Sequence, residues 1–245
     1  MRVTGLCESI IRNIRALSLQ PTMTSTTQYT QEVMSFLQRV YEREIRNEWG
    51  VFLQQIVGDP TATESRKEWA ARISRDINTQ ELIFKGKGME LRRETEQPLY
   101  SPIIDIAVGP LSFGARGGDE ARLTRDCYNH LVTTGVVSRL LDDLIGRGAL
   151  VTDGEVREWN INPRCLLAIE IENSNNNKHI LGSMLNASIM AKVGILIDYE
   201  DRNMVGFLRE MVNRRKSPEL FGNLIYITKN NFDEIMGPVL RGLQG

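Results

Sequence analysis

The chain has 245 residues, of which 41% are hydrophobic and 25% charged, and its formal net charge is −1. This length suits one large domain, or one domain with an insertion, that buries a full core. The small net charge excludes binding of nucleic acid through the overall field, so such a partner has to be held by local basic clusters. The three cysteines, Cys7, Cys127 and Cys165, lack C-x-x-C spacing, which argues against a disulfide framework and a structural zinc site.

The pattern of the N-terminal segment does not predict a signal peptide. Residues 1–28 lack the continuous apolar centre of a signal peptide, and no stretch of the chain approaches the ~20 apolar residues of a membrane span. We therefore expect a cytoplasmic protein without a membrane partner. Residues 1–28 are rich in Ser and Thr and are interpreted as a flexible arm, or as an extension from a mischosen start codon, ahead of a single domain over 29–245.

A long helix beginning at Thr30 is the clearest periodic element. Apolar residues recur at steps of three and four and form one stripe that indicates a buried helix face. Gly58-Asp59-Pro60 ends the pattern. On one side of this helix Glu44 and Glu48 are four residues apart.

A second helix is predicted over 65–78, followed by a short strand over 81–84. The strand leads into Lys85-Gly86-Lys87-Gly88, a turn in which glycines let the backbone approach a phosphate closely. Lys85 and Lys87 are therefore possible nucleic-acid contacts, and the alternative is a plain β-turn.

The next strand, Tyr100–Pro110, carries an isolated carboxylate. It is rich in β-branched residues and bounded by prolines. Alternation places Ile104, Ile106 and Val108 on one face and Asp105 on the other.

Residues 111–160 are predicted to form a helical insertion. A glycine-rich loop over 111–118 precedes one helix over 119–130 and an amphipathic helix over 132–145, which Gly146 and Gly148 stop. Arg116, with Arg122 and Arg125, either faces DNA or is an ordinary surface charge on the insertion.

The apolar run Cys165–Asn173 contains two glutamates, Glu170 and Glu172, that point to the same side of a strand. Like charges at this spacing repel and lose hydration unless a cation or hydrogen-bond donors compensate them. If this strand pairs with the strand of Asp105, three carboxylates converge into an oxygen site suited to Mg²⁺ or Mn²⁺. The alternative is the solvated face of a sheet.

The C-terminal part alternates helices and strands, which indicates α/β packing with parallel strand pairs. The predicted elements are a helix over 178–192, a strand over 193–197, a helix over 204–216, a strand over 223–228 and a helix over 232–243.

Four residues and the elements around them resemble a known family. Asp105 lies in a strand shortly after Pro102, Glu170 and Glu172 end a later strand, and a helix and a further strand follow. This order resembles the PD-(D/E)xK restriction-endonuclease-like nucleases over roughly residues 80–228. The resemblance implies an α/β fold with a restriction-endonuclease-like mixed sheet flanked by helices. It also implies a Mg²⁺-dependent endonuclease for duplex DNA, with a homodimer placing one site on each strand.

The resemblance also implies roles for individual residues. Asp105, Glu170 and Glu172 would hold Mg²⁺, with Mn²⁺ as a substitute, and Glu44 would add an acid from the early helix. Lys178 and His179 open the helix after the Glu-x-Glu strand, where a scissile phosphate can be held. We expect Lys178 to supply the charge that the family's usual lysine would carry at Glu172, with Lys192 as a weaker candidate.

Two other functions stay open. Because Glu172 stands where the family usually has lysine, the chain is alternatively a catalytically impaired nuclease-fold module that binds nucleic acid or protein. The third reading is a magnesium-dependent phosphohydrolase for small substrates.

Overall fold

The computed structural model describes residues 25–75, 83–85, 104–111, 119–152, 156, 160, 163–215 and 220–243, with the backbone alone over 83–85 and 119–121 and at 215. The helices are α1 Thr26–Val40, continued by a π-helical turn Tyr41–Ile45, α2 Arg46–Gly58, α3 Glu64–Arg75, α4 Asp119–Thr133, α5 Gly135–Arg147, α6 Asn177–Met190, α7 Val205–Arg215 and α8 Lys229–Gly242. The strands are β1 Ile83–Lys85, β2 Ile106–Val108, β3 Ala149–Leu150, β4 Cys165–Glu172, β5 Ala191–Asp198 and β6 Leu224–Thr228.

The predicted long helix is present as α1, the π-helical turn and α2 in one continuous run. It begins at Thr26, four residues before the predicted start, because the Ser25 hydroxyl caps it by accepting a hydrogen bond from the Gln28 N–H at 3.2 Å. The apolar stripe is buried from Tyr29 to Ile56. The π-helical turn adds a residue to the run, and buried residues on both sides of it, such as Val40 and Trp49, belong to one core.

The strands form one mixed sheet in the order β1-β2-β4-β5-β6-β3. β4, β5 and β6 are parallel, whereas β1 with β2, β2 with β4 and β3 with β6 are antiparallel. The α/β class and the parallel C-terminal strands are therefore confirmed. The edge strand β3 was not predicted.

Two hydrophobic cores cover the two faces of this sheet. One core joins Ile169 and Ile171 of β4 to α1, α2, α3, α4, α5 and α8. The other joins Ala168 of β4 to α6 and α7. Since Leu167, Ile169 and Ile171 all lie in the first core, Glu170 and Glu172 belong to the face that α6 and α7 cover, as alternation predicts.

The insertion contains the two predicted helices, but the second begins at Gly135 instead of near residue 132. A carboxylate from the long helix sets this start, because Glu48 Oε1 accepts a hydrogen bond of 2.9 Å from the Val136 N–H at the α5 N-terminus. Gly135 has φ +58°, and a Cβ there would lie 1.6 Å from Glu48 Oε1. Only glycine fits this contact without rearrangement.

Two predicted boundaries differ from the structure near the site. β2 begins at Ile106, so Asp105 precedes the strand, and Ile104 packs in the core opposite to that of Ile106. Lys192 lies in β5 and is 2% exposed, whereas the sequence placed it near the end of the preceding helix. Among the described residues, no helix combines the length and apolar character needed to cross a membrane.

Candidate active site at the ends of β2 and β4

The register of β2 and β4 brings Asp105 next to Glu170. Ile106 pairs with Ile169 in this antiparallel ladder, so the position before β2 faces Glu170. Asp105 Oδ2 accepts a hydrogen bond of 2.9 Å from the Ile171 N–H, and the Asp105 N–H donates to the Glu170 carboxyl group. Two carboxyl groups that were 65 residues apart in the sequence are thus held together by the pairing.

Glu170 is buried with one oxygen atom unsatisfied. The residue is 6% exposed, and its Oε1 has no hydrogen-bond partner among the residues that the structure describes. Burial, reinforced by the charge of Asp105, raises the pKa of Glu170 to about 9, although the Asn186 side chain of α6 hydrogen-bonds the carboxyl group. Without a cation, this carboxyl group therefore keeps its proton at neutral pH.

Glu172 is equally buried, at 5% exposure, but both of its oxygens have donors. Oε1 accepts from the Ser174 N–H at 2.6 Å, and Oε2 accepts from the Ser183 hydroxyl at 2.9 Å. These donors belong to the turn after β4 and to α6. Glu172 therefore ties the strand to the helix that follows it.

The chemistry of the site suits a hard cation at Asp105 and Glu170. Both supply carboxylate oxygen, which Mg²⁺ and Mn²⁺ prefer, and the unsatisfied Glu170 Oε1 is an available ligand atom. The described residues contain no group of three or more His, Cys, Asp and Glu side chains arranged to hold a metal ion. The donor set thus fits a cation held by two carboxylates, with Glu172 bound to Ser174 and Ser183.

The remaining predicted site residues lie elsewhere or outside the described part. Glu44 is half-buried in the π-helical turn, and its charge contributes to raising the pKa of Glu48. The helix that carries it packs on the face of the sheet opposite α6. Lys178 and His179 are exposed in the first turn of α6. Lys85 ends β1, and its side chain lies outside the described residues, as do Lys87 and Arg116.

Two side chains of α6 were missed by the sequence analysis. Ser183 hydrogen-bonds Glu172, and Asn186 hydrogen-bonds Glu170. Two polar residues three apart on the helix thus contact two glutamates two apart on the strand. The spacing of three on a helix and two on a strand was visible in the sequence.

A second buried cluster next to the site was also missed. Asp198 ends β5 beside Glu172 and is 0% exposed. Arg202 donates to it through Nε at 2.8 Å and through its backbone N–H at 2.8 Å, and the Tyr226 hydroxyl donates at 2.7 Å. The available signal was an acidic residue at the end of an apolar strand.

Arg202 connects this cluster to the turn after β4. Its guanidinium group donates to the carbonyl oxygens of Glu172, at 3.1 Å, and Ser174, at 2.5 Å, and to Asn175 Oδ1 at 2.9 Å. The segment between Glu172 and α6 is thus held from two sides, by Arg202 and by the Glu172 carboxylate itself. These contacts fix the position of the turn that follows Glu172 at the end of β4.

The molecule is an α/β protein in which the half-buried Asp105 and the buried Glu170 lie side by side where an antiparallel strand meets the parallel part of the sheet. Comparison with models of protein families, with curated proteins and with solved structures finds no match to this chain.

Proposed function

We propose that the protein is a nuclease of the restriction-endonuclease-like class that depends on a divalent cation and hydrolyses phosphodiester bonds of duplex DNA. The observation that carries the proposal is the buried, unsatisfied Oε1 of Glu170 next to Asp105. A buried polar atom without a partner is costly in a protein core, so its retention points to a ligand of the site.

The order and direction of the elements support this class. β2 is preceded by Asp105, β4 ends in Glu170 and Glu172, and α6 and β5 follow, which is the order on which the resemblance rests. Because β2 and β4 are antiparallel, the start of one strand lies beside the end of the other. A sequence pattern spread over 65 residues therefore becomes one spatial site.

In this proposal Asp105 and Glu170 bind the cation, and Glu172 holds the end of β4 in place through Ser174 and Ser183. A bound Mg²⁺ or Mn²⁺ supplies Lewis acidity toward the phosphodiester and lowers the pKa of an attacking water. Asn186 orients the Glu170 carboxyl group, and Ile171 orients that of Asp105 through its N–H. Lys178 is proposed to contact phosphate, and a homodimer is proposed to serve the two strands.

The second candidate function is a nuclease-fold module without catalysis that binds nucleic acid or protein. It is favoured by Glu172, whose two oxygens are occupied by donors of the protein itself. With two carboxylates instead of three, cation affinity would be lower. Direct measurement of cation binding separates the two functions.

The test is calorimetric titration of the purified full chain with Mn²⁺, together with cleavage of supercoiled plasmid DNA in Mg²⁺ or Mn²⁺. We expect Mn²⁺ binding and cleavage by the wild type, and loss of both in Asp105→Asn and Glu170→Gln, which keep shape but remove charge. Asp143→Asn, an exposed carboxylate of α5, is the matched control and should behave as the wild type.

Absence of Mn²⁺ binding by the wild type would contradict the nuclease proposal. The non-catalytic binding module would then be the remaining candidate function. Binding without plasmid cleavage, but with hydrolysis in a panel of nucleotides, would indicate the phosphohydrolase. Sedimentation of the wild type at the assay concentration tests the homodimer.

A further inference from the structure

A groove between α6 and α7 lies on the outer side of the helices that cover the site. It encloses about 510 Å³ and is lined by the apolar side chains Leu181, Phe207 and Met211 and by the polar side chains Asn177, Lys178, Glu210 and Arg214. This volume is within the range of pockets that bind organic ligands. The groove shares α6 with the site, because Ser183 and Asn186 of the same helix contact the two glutamates.

Phe207 gives the groove an exposed aromatic surface. Phe207 is 37% exposed, although the next residue of the same helix, Leu208, is completely buried. An exposed aromatic ring beside other apolar side chains is typical of a recognition surface. Every nucleobase has a flat face that can stack on such a ring, whatever the sequence.

The charged side chains favour an anionic occupant. Lys178 is exposed at the groove. Arg214 forms an ion pair with Glu210 at 2.5 Å, but the side chains of both residues are largely exposed, at 78% and 61%. Such an exposed pair contributes little to stability, so a phosphate group can take the place of Glu210 as the partner of Arg214.

We propose that the groove binds single-stranded DNA, with an unstacked base on Phe207 and backbone phosphates on Lys178 and Arg214. The choice of DNA rests on the proposed nuclease function, whereas the aromatic and cationic character comes from the groove itself. Single-stranded DNA is the occupant because bases in a duplex are stacked on each other and present only their edges. The groove therefore holds a strand whose bases are unpaired.

The test is fluorescence anisotropy of a labelled oligothymidine and of a labelled duplex, with the full chain in EDTA so that cleavage does not interfere. We expect Phe207→Ala to weaken binding of the single strand by about tenfold or more. Phe207→Trp should restore the wild-type affinity, and Phe207→Leu, which keeps apolar area without the ring, should not. Ile189→Ala truncates an exposed apolar residue at the other end of α6 and serves as the matched control.

The electrostatic part is tested by salt dependence. Lys178→Ala and Arg214→Ala should each reduce the slope of log K against log salt concentration by about 0.7, the value for one phosphate contact on a single strand. Circular dichroism verifies that the variants are folded. Wild-type affinity of Phe207→Ala, equal affinity of Phe207→Leu and wild type, or unchanged salt slopes would each overturn the proposal.

Failure of this proposal and failure of the nuclease proposal are distinguishable. Binding of the oligothymidine is measured without a cation, and cation binding at Asp105 and Glu170 is measured without DNA. If the groove variants bind normally while Mn²⁺ titration and plasmid cleavage depend on Glu170, only the groove assignment is wrong. If a Phe207-dependent single-strand affinity exists without Mn²⁺ binding, the groove assignment stands and the protein is the binding module.

Discussion

Two buried carboxylates lie on neighbouring parallel strands and face the same helices, but they differ in how their oxygens are satisfied. Asp198 on β5 accepts hydrogen bonds from Arg202, Tyr226 and backbone N–H groups. Glu170 on β4 has one oxygen without a partner among the described residues and a pKa raised to about 9. Burial is therefore common to both acids, whereas the satisfaction of their oxygens differs, and Glu170 is the one that we propose as a cation ligand.

We expect the greatest loss of stability on substitution of Asp198. Replacing it by alanine leaves the Arg202 guanidinium without its carboxylate at a site where the Arg202 side chain is 19% exposed. Breaking a buried pair by removing one partner costs about 3–5 kcal/mol in the free energy of unfolding. Urea denaturation followed by circular dichroism measures it.

The exposed pair Glu210–Arg214 has the same four-residue spacing and is the control. Glu210→Ala should cost only about 0.3–0.5 kcal/mol. An equally small loss of unfolding free energy for Asp198→Ala would show that the Asp198 cluster does not stabilise the fold. The contrast between Asp198 and Glu170 would then be wrong for Asp198.

Glu170 should give a smaller effect, and one that depends on pH. Its pKa rises from an ordinary 4.5 to about 9 on folding, so above pH 4.5 the unfolded state loses a proton that the folded state keeps. Stability contributed by this group is therefore highest below pH 4.5 and declines as the pH rises toward 9, by about 1.4 kcal/mol per pH unit.

Between pH 5 and pH 7 this amounts to roughly 2–3 kcal/mol that the wild type loses and Glu170→Gln does not. Urea denaturation of both proteins at the two pH values checks it, because other ionisable groups are common to both. A difference between the two proteins that does not change with pH would mean that Glu170 is ionised in the folded protein. The Asp105 contact would then be weaker than the structure indicates.

The smallest of the three effects is expected at Ser183. Ser183→Ala removes the hydroxyl that donates to Glu172 Oε2 at 2.9 Å, and a hydrogen bond to a charged group is worth about 1.5–3 kcal/mol. We expect a loss near 2 kcal/mol in urea denaturation, at the lower end of the range because the site is part-buried.

Ser35 is the matched control, since its hydroxyl donates to the Gln31 carbonyl oxygen on the exposed side of α1. Ser35→Ala should stay within about 0.5 kcal/mol of the wild type. If Ser183→Ala were as mild, the Ser183 hydroxyl would not hold Glu172 to α6, and Glu172 Oε2 would be available to a cation although Oε1 still accepts from Ser174. Glu172 would then resemble Glu170, which has an unsatisfied oxygen, instead of Asp198, whose oxygens are satisfied.

Local periodicity in the sequence is sufficient to predict several features of the fold. The helix stripe that ends at Gly58 follows from the α-helical repeat, and the common face of Glu170 and Glu172 follows from the two-residue repeat of a strand. The parallel C-terminal strands follow from the alternation of helices and strands. These features need no knowledge of distant neighbours.

Which acids share an environment could not be predicted from the sequence, because hydrogen-bond partners and strand register depend on residues that are distant in the chain. The β2–β4 register brings Asp105 to Glu170, and α6 supplies Ser183 to Glu172. The same packing places Lys192 in a buried strand and satisfies Asp198 through Arg202. Spacing along the chain predicts the face on which a charge lies, whereas the neighbours across that face determine whether its oxygens are satisfied.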